Sequence, residues 1–224
     1  IAYQGPWHRD SGTIRTGHRY YLEDKPHYLD EPGEFWFDRN RRGGRLYVRL
    51  PGDADPNRVT IEAGNVVNFI DGENISHVYV SGLVFRFGDV HYDIAARAWE
   101  HEDVPSAVIR FRGSGRDVQV SNCVFEHVSN GVRIAADDKG YHDVVIADND
   151  IQFTDHSAIV FGSPEKSYNL RVMRNRAHET GRRGIRPKDN FSITMGKLQT
   201  AEIAGNVVTV AASGMRAADD ASRT

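Results

Sequence analysis

One short apolar pattern recurs five times in the later part of the chain, and it constrains the fold more than any other feature. Each copy has two apolar residues separated by one residue, then a short turn, then apolar residues again. The second apolar residues are Val80, Val120, Ile146, Val172 and Ile203, which lie 40, 26, 26 and 31 residues apart. A period of two is typical of strands with one buried face and excludes a helix. Two equal spacings of 26 predict a structural unit that repeats.

Each repeat predicts three strands. A second strand follows the turn, and a third follows a Gly or Ala at Gly131–Ile134, Ala158–Phe161, Gly184–Pro187 and Gly214–Ala217. Three strands in a repeat of this length predict one triangular turn of a right-handed parallel β-helix, an all-β solenoid. We predict this β-helix over residues 65–224.

The two longer spacings predict where the repeat is interrupted. Compared with 26, the first spacing has 14 extra residues and the last has five, which we assign to Asp89–Ser106 and Lys188–Gln199. Loops that interrupt a repetitive scaffold are frequent sites of function. The first loop contains Trp99, whose ring can stack on a sugar ring.

A row of aligned residues marks the bend between the first and second strands. Its members are Leu83, Cys123, Asn149, Asn175 and Asn206. Asn tolerates the left-handed backbone of a tight bend, and its amide can bond to the Asn of the next repeat. We expect a structural ladder of side-chain hydrogen bonds here rather than a catalytic site.

Residues 1–64 lack the repeat and predict a small β subdomain. Phe35–Phe37 and Leu46–Leu50 predict the two strands of a hairpin, which are joined by the basic turn Arg39–Arg45. Val59–Ala63 predicts a further strand. We expect the basic turn to be a solvated hairpin tip.

Charge and cysteine content narrow the classes of function. The 28 Lys and Arg residues nearly balance the 31 Asp and Glu residues, for a net charge of −3, which predicts neither a nucleic-acid nor a membrane partner. Cys123 is the only cysteine, which excludes an internal disulfide and a Cys-rich zinc site. The chain begins with Ile1 and stops within the repeat pattern. We therefore expect a segment of a longer protein whose other turns hold part of any active site.

Motifs in both parts of the chain carry a family resemblance. They are Tyr20–Asp24, Leu29–Asp38, Leu46–Pro51, Val80–Arg86 and Cys123–His127. Together they resemble bacterial β-helix carbohydrate-active enzymes, most of all glycoside hydrolase family 141, in which a Leu-Asp-x-Pro-Gly-Glu-Trp turn and a Leu-Tyr strand precede a β-helix. Here Phe35 takes the usual aromatic place and Trp36 follows it. The resemblance implies a secreted, periplasmic or cell-surface enzyme that attacks a plant or microbial polysaccharide.

The outward positions of the third strands predict a row of arginines. Its members are Arg110, Arg133, Val160, Arg186 and Arg216. Strands of neighbouring repeats lie about 4.8 Å apart, so these guanidinium groups would share one stripe. Arg binds carboxylates through two hydrogen bonds, and the row therefore predicts a binding surface for a polymer that contains uronic acids.

Acidic residues follow this stripe at the next turn and are candidates for catalysis. Glycoside hydrolysis normally uses two carboxyl groups, about 5 Å apart for retention or about 6.5–9.5 Å apart for inversion. Turns one or two repeats apart can supply either distance. We predict Asp138 and Asp189 as the pair, one as general acid and the other as base or nucleophile.

Other residues near the same face are candidates for binding sugar or metal. His156 lies before a third strand, where it can shuttle a proton or bind a sugar hydroxyl. The acidic turns can hold Ca²⁺ through oxygen ligands, but no spacing specifies such a site. We predict no required cofactor and no other metal site.

Two other functions remain open for this scaffold. A polysaccharide lyase or uronan epimerase would use Arg186 and Lys188 beside a neutralised uronate to remove the C5 proton. A non-catalytic β-helix would bind glycan or serve a structural purpose. The fold alone does not choose among the three functions.

Overall fold

The computed structural model describes residues 25–89, 106–163, 167–182, 191–211 and 213–218. The chain divides into two units, Ile1–Glu62 and Ala63–Thr224, with a boundary two residues before the predicted one. The described residues form strands and short 3₁₀ helices, so the fold is all-β. No helix in this part of the chain has the length and apolar character needed to cross a bilayer.

The first unit contains an antiparallel hairpin. Strand β1 (Phe35–Asp38) pairs with β2 (Arg45–Val48), as the sequence predicts. The chain turns tightly at Gly44, whose φ of +71° is a left-handed conformation that favours glycine. The hairpin prediction is confirmed.

Among the described residues, three 3₁₀ helices flank the hairpin, and each begins with a proline whose fixed φ suits a first helical position. They are Pro26–Tyr28, Pro51–Asp53 and Pro56–Arg58. The predicted strand Val59–Ala63 is wrong, because these residues are irregular. Val59 and Ile61 are 47% and 41% exposed, so the apolar alternation there does not mark a buried face.

The described residues of the second unit form strands β3 to β16. They are β3 (Ile70–Glu73), β4 (Ser76–Ser81), β5 (Val84–Arg86), β6 (Ile109–Ser121), β7 (Val124–Val128), β8 (Val132–Ala147), β9 (Asp150–Thr154), β10 (Ile159–Gly162), β11 (Leu170–Met173), β12 (Arg176–His178), β13 (Phe191–Gly196), β14 (Ala201–Ala204), β15 (Val207–Thr209) and β16 (Ser213–Ala218).

These strands form two sheets, and every described pair within them is parallel. One sheet has the order β15-β12-β9-β7-β5, and the other contains the remaining nine strands. In the larger sheet, Val80 pairs with Val120, Val120 with Ile146, Ile146 with Val172, and Val172 with Ile203. The predicted equivalence of these five residues is confirmed.

Stacking of equivalent apolar residues builds the core. In the larger sheet, Val120, Ile146 and Val172 are each at most 1% exposed, and each such side chain contributes about 1.5–3 kcal/mol by leaving water. In the smaller sheet, Phe85 pairs with Phe125, and their rings stack at 5.2 Å. One face of each sheet is therefore buried along successive repeats.

In two places the third strand of one repeat and the first strand of the next form one continuous strand, where the sequence predicted two separate strands. Strands β6 and β8 each combine both segments, and they pair with each other from Ile109 to Ser121 with one register shift between Gly113 and Gly115. The predicted third strands at Gly131–Ile134, Ala158–Phe161 and Gly214–Ala217 match β8, β10 and β16. Gly184–Pro187 lies outside the described residues.

The predicted asparagine ladder is confirmed. Asn175 Oδ1 accepts hydrogen bonds from the backbone N (3.1 Å) and Nδ2 (2.9 Å) of Asn149, and Asn206 Oδ1 accepts the same pair from Asn175. Asn175 Nδ2 also donates to the Ile146 carbonyl at 2.8 Å. The Asn175 amide thus satisfies two buried backbone groups of the preceding repeat and bonds to the asparagine side chain of the next repeat.

The left-handed residue of this bend is not the asparagine, contrary to the prediction. Positive φ occurs one residue earlier, at Gly82, Asn122, Asp148, Arg174 and Gly205. These preceding residues are exposed, whereas the ladder amides turn inward. The left-handed backbone therefore falls on a residue whose side chain makes no ladder contact.

The insertion in the last repeat is longer than the five extra residues of its spacing indicate. His178 pairs with Gln152, which keeps the regular spacing of the repeat, whereas Ile193 pairs with Ile159, which exceeds that spacing by eight. Eight residues are therefore inserted between β12 and β13, ahead of the predicted position. Three residues are then missing between β13 and β14, because Ala201 pairs with Leu170 and the spacing returns to 31.

Replacement of a ladder asparagine tests this account of stability. Asn175→Ala leaves the Asn149 N–H and the Ile146 carbonyl buried without a partner, so the free energy of unfolding should fall by about 2–4 kcal/mol. Urea denaturation measures the change. Asn206→Ala is the matched control: Asn206 is partly exposed, water can replace its bonds, and the loss should be about 1 kcal/mol. Equal losses in both variants would contradict the ladder's role.

Candidate functional site

The predicted arginine row exists in part, and its register differs at one position. Pairing places these residues side by side in the order Asp71, Arg110, Arg133, Val160, Thr194 and Arg216. Thr194 occupies the place predicted for Arg186, because the eight inserted residues precede β13. Arg186 and Lys188 lie outside the described residues, and for Arg216 we describe only the strand pairing.

The first arginine of the row is already bound by a carboxylate. Arg110 Nε and Nη2 donate to Asp71 Oδ1 and Oδ2 at 3.0 and 2.6 Å. These bonds hold the pKa of Asp71 below its usual value, against the opposing effect of burial. A ligand carboxylate would have to displace Asp71. Arg133 is only 7% exposed, so these two arginines present little surface to a polymer.

The predicted catalytic pair is described only at one member. Asp138 is exposed on β8, while its neighbour Asp137 accepts a hydrogen bond from the Lys139 N–H at 2.8 Å. Asp189 and Trp99 lie outside the described residues. Asp138 is therefore accessible to a substrate, and Asp137 shapes the turn.

The predicted histidine His156 and a second histidine near the same face have different surroundings. His156 is only 8% exposed, and its backbone bonds to Ser129 in the neighbouring repeat. His127 is exposed, but its ring lies between those of Phe87 and Phe153, at 5.6 and 4.8 Å and nearly parallel to both. Because both ring faces are covered, His127 cannot stack on a sugar.

A shallow, open cavity of about 420 Å³ lies where the third strands meet the first strands of the next repeat. We call it the polar depression. It is lined by Asn74, Ser76, Ser114, Gly115, Arg116, Lys139, Gly140, His142 and Tyr168. None of these residues is acidic, and a pocket of this volume suits a small ligand or one part of a polymer.

Glycine is required in this lining by close packing. A Cβ on Gly115 would lie 1.8 Å from the Ile75 carbonyl oxygen and 2.6 Å from the Tyr141 ring. Tyr141 is fully buried, and its hydroxyl donates to the Arg112 carbonyl at 3.0 Å. The packing of Ile75 and Tyr141 against Gly115 therefore determines the shape of the polar depression at this position.

His142 and Tyr168 form a rigid aromatic wall. Their ring centroids are 3.7 Å apart with planes 13° from parallel. His142 Nε2 donates to the Lys139 carbonyl at 2.9 Å, and Nδ1 accepts from the Tyr168 N–H at 3.3 Å. Both nitrogens are used for structure, so His142 positions Tyr168, which is 45% exposed.

Two cations line the polar depression, and no acid in the described part of the chain forms an ion pair with either side chain. Arg116 and Lys139 are exposed, and neither side chain makes a hydrogen bond or ion pair with any described residue. Ser76 Oγ accepts the Arg116 N–H at 3.1 Å, which leaves the hydroxyl proton of Ser76 to donate elsewhere. The lining thus offers positive charge and hydrogen-bond donors.

A hydrogen-bonded cluster lies beside the polar depression. Asp117 accepts from the Tyr79 hydroxyl at 2.6 Å and from His77 Nδ1 at 2.7 Å. These bonds lower the pKa of the Asp117 carboxyl, Tyr79 more than His77, with Arg116 adding a smaller effect. The same bond raises the pKa of the Tyr79 phenol. Tyr79 is therefore a poor candidate for a general base.

The residues of the polar depression were missed in the sequence, although the repeat contains the signal. Ser76, Arg116, His142 and Tyr168 each lie two residues before the first apolar residue of a repeat, and the first three are register neighbours. This row precedes the first strands, so an interpretation limited to the third strands does not include it. No group of His, Cys, Asp or Glu suited to a metal ion occurs among the described residues.

Comparison with known proteins adds no relative. No family model, curated protein or solved structure matches the chain.

Titration of Asp117 tests the geometry of its cluster. Tyr79→Phe removes the strongest hydrogen bond to the carboxylate, so the pKa of Asp117 should rise towards its ordinary value. NMR titration of the side-chain carboxyl carbons measures this. The pKa of Asp148, which is lowered by Arg174, serves as the control and should not move. An unchanged pKa of Asp117 would show that Tyr79 does not hold it.

Proposed function

We propose that this chain forms a right-handed parallel β-helix and binds a polysaccharide at the polar depression. In-register parallel pairing of equivalent strands, over two consecutive repeats of equal length, supports the β-helix. The polar depression carries the binding proposal. It combines an exposed aromatic ring, hydroxyl and amide groups, and an open shape that lets a chain extend beyond it.

The proposed reaction is glycoside hydrolysis, as the resemblance to glycoside hydrolase family 141 implies. Asp138 is next in sequence to Lys139, which lines the polar depression, and it is exposed. One carboxyl group protonates the leaving oxygen while a second acts as nucleophile or activates water. In this proposal Asp138 supplies one group and Asp189 the other.

The unpaired cations favour a second candidate, a polysaccharide lyase. Arg116 and Lys139 would neutralise a uronate carboxylate, which makes the C5 proton more acidic. A base then removes that proton, the bond from C4 to the leaving oxygen breaks, and a C4–C5 double bond forms. Hydrolysis yields saturated reducing ends, whereas elimination yields an unsaturated, ultraviolet-absorbing product.

Removal of the aromatic wall tests the binding site. Tyr168→Ala should weaken polysaccharide binding about 2- to 13-fold, because stacking of an aromatic ring is worth about 0.5–1.5 kcal/mol. Calorimetry against a panel of plant and microbial polysaccharides gives the affinity. Phe35→Ala, which removes a 70% exposed ring outside the polar depression, should change nothing. Equal affinities of Tyr168→Ala and the unchanged protein would contradict the site.

Exchange of a single carboxyl group tests the reaction. Asp138→Asn should lower the rate of reducing-end release by about 100-fold or more, which is typical for loss of a general acid or base. Asp137→Asn is the matched control, because its side-chain oxygen can still accept the Lys139 N–H. Full activity of Asp138→Asn would remove this residue from the mechanism. Binding without turnover in the unchanged protein would favour a non-catalytic β-helix.

A further inference from the structure

We infer that the sugar bound at the polar depression is anionic, and that Arg116 and Lys139 bind its carboxylate or sulfate group. This inference rests on the proposed function and names its class of ligand. The charge of the described lining supports this inference. The whole chain has more acidic than basic residues, yet the described residues that line the polar depression include two cations and no carboxylate.

Arg116 and Lys139 differ in this respect from other arginines of the same unit. Several of them form an ion pair with an acid of a neighbouring repeat: Arg86 with Glu126, Arg110 with Asp71, Arg112 with Glu73, and Arg174 with Asp148. The side chains of Arg116 and Lys139 form no such pair among the described residues. Their charges remain available to a ligand at no cost in broken ion pairs.

The groups that line the polar depression also fit the chemistry of an acidic sugar. A guanidinium group binds a carboxylate or sulfate through two parallel hydrogen bonds, and an ammonium group adds a point charge. Ser76 can donate a hydrogen bond to a ring or hydroxyl oxygen. Tyr168, supported by His142, provides an apolar ring surface. A neutral sugar would leave both cations unused.

The test compares matched oligosaccharides that differ in charge. Oligogalacturonate, its methyl ester, a sulfated galactan fragment and neutral xylo-oligosaccharide are titrated by calorimetry at low and high salt. We expect an acidic probe to bind at least tenfold more tightly than the methyl ester, with the difference shrinking as salt rises. Preference for oligogalacturonate identifies a carboxylate ligand, and preference for the galactan identifies a sulfate.

Variants assign the effect to the two residues. Arg116→Gln and Lys139→Gln should each weaken binding of the acidic probe about tenfold and weaken binding of the neutral probe much less, so the ratio of the two affinities falls. Arg171→Gln is the control for loss of one charge, because Arg171 is exposed on β11 outside the polar depression. All three changes lie on the surface, and circular dichroism confirms folding.

The outcomes separate this inference from the proposed function. Equal binding of charged and neutral probes, unaffected by Arg116→Gln and Lys139→Gln, overturns the anionic ligand while polysaccharide binding stands. Equal weakening by Arg171→Gln also overturns it, since total charge would then explain the effect. No binding of any saccharide rejects the proposed function and the inference with it.

Discussion

Parallel in-register pairing is the constraint on which the rest of the second unit depends. It places each residue about 4.8 Å from its equivalents in the neighbouring repeats. Each side chain must therefore be compatible with the equivalent side chains on either side of it. Apolar residues satisfy this condition by packing, as Val120, Ile146 and Val172 do. Asparagine satisfies it through an amide that both donates and accepts, which lets identical side chains bond in succession.

A charged residue satisfies the same condition when a residue of opposite charge occupies a neighbouring place in its row. Like charges at this spacing repel, so a continuous row of arginines needs acids beside it. The structure supplies them: Asp71 is the register neighbour of Arg110, and Glu126 is that of Arg86. The ion pair of Arg110 with Asp71 thus stabilises the sheet. It also partly neutralises the positive charge that would attract an anionic polymer.

The inward rows could be predicted from the sequence because they depend only on local alternation and on equal spacing. Asn149 and Asn175 could be placed for the same reason, since their role follows from their neighbours in the row. The position of Thr194 could not be predicted. The longer last spacing reports only the net length, whereas the chain inserts eight residues before β13 and removes three after it.

The candidate site was less predictable still, because the accessibility of a side chain depends on what packs outside its strand. An alignment of repeats shows that Arg133 is an outward position, but it does not show that only 7% of this residue is exposed.

The polar depression lies where a register row stops being uniform. Ser76, Arg116 and His142 are neighbours in that row, yet they share neither charge nor size and form no ladder of side chains. A row of this kind gives less to stability than the asparagines do, because its side chains do not satisfy each other's hydrogen bonds. What it provides is a surface whose chemistry changes from one strand to the next. A repetitive scaffold needs such a local break in its own pattern to hold one segment of a polymer in one register.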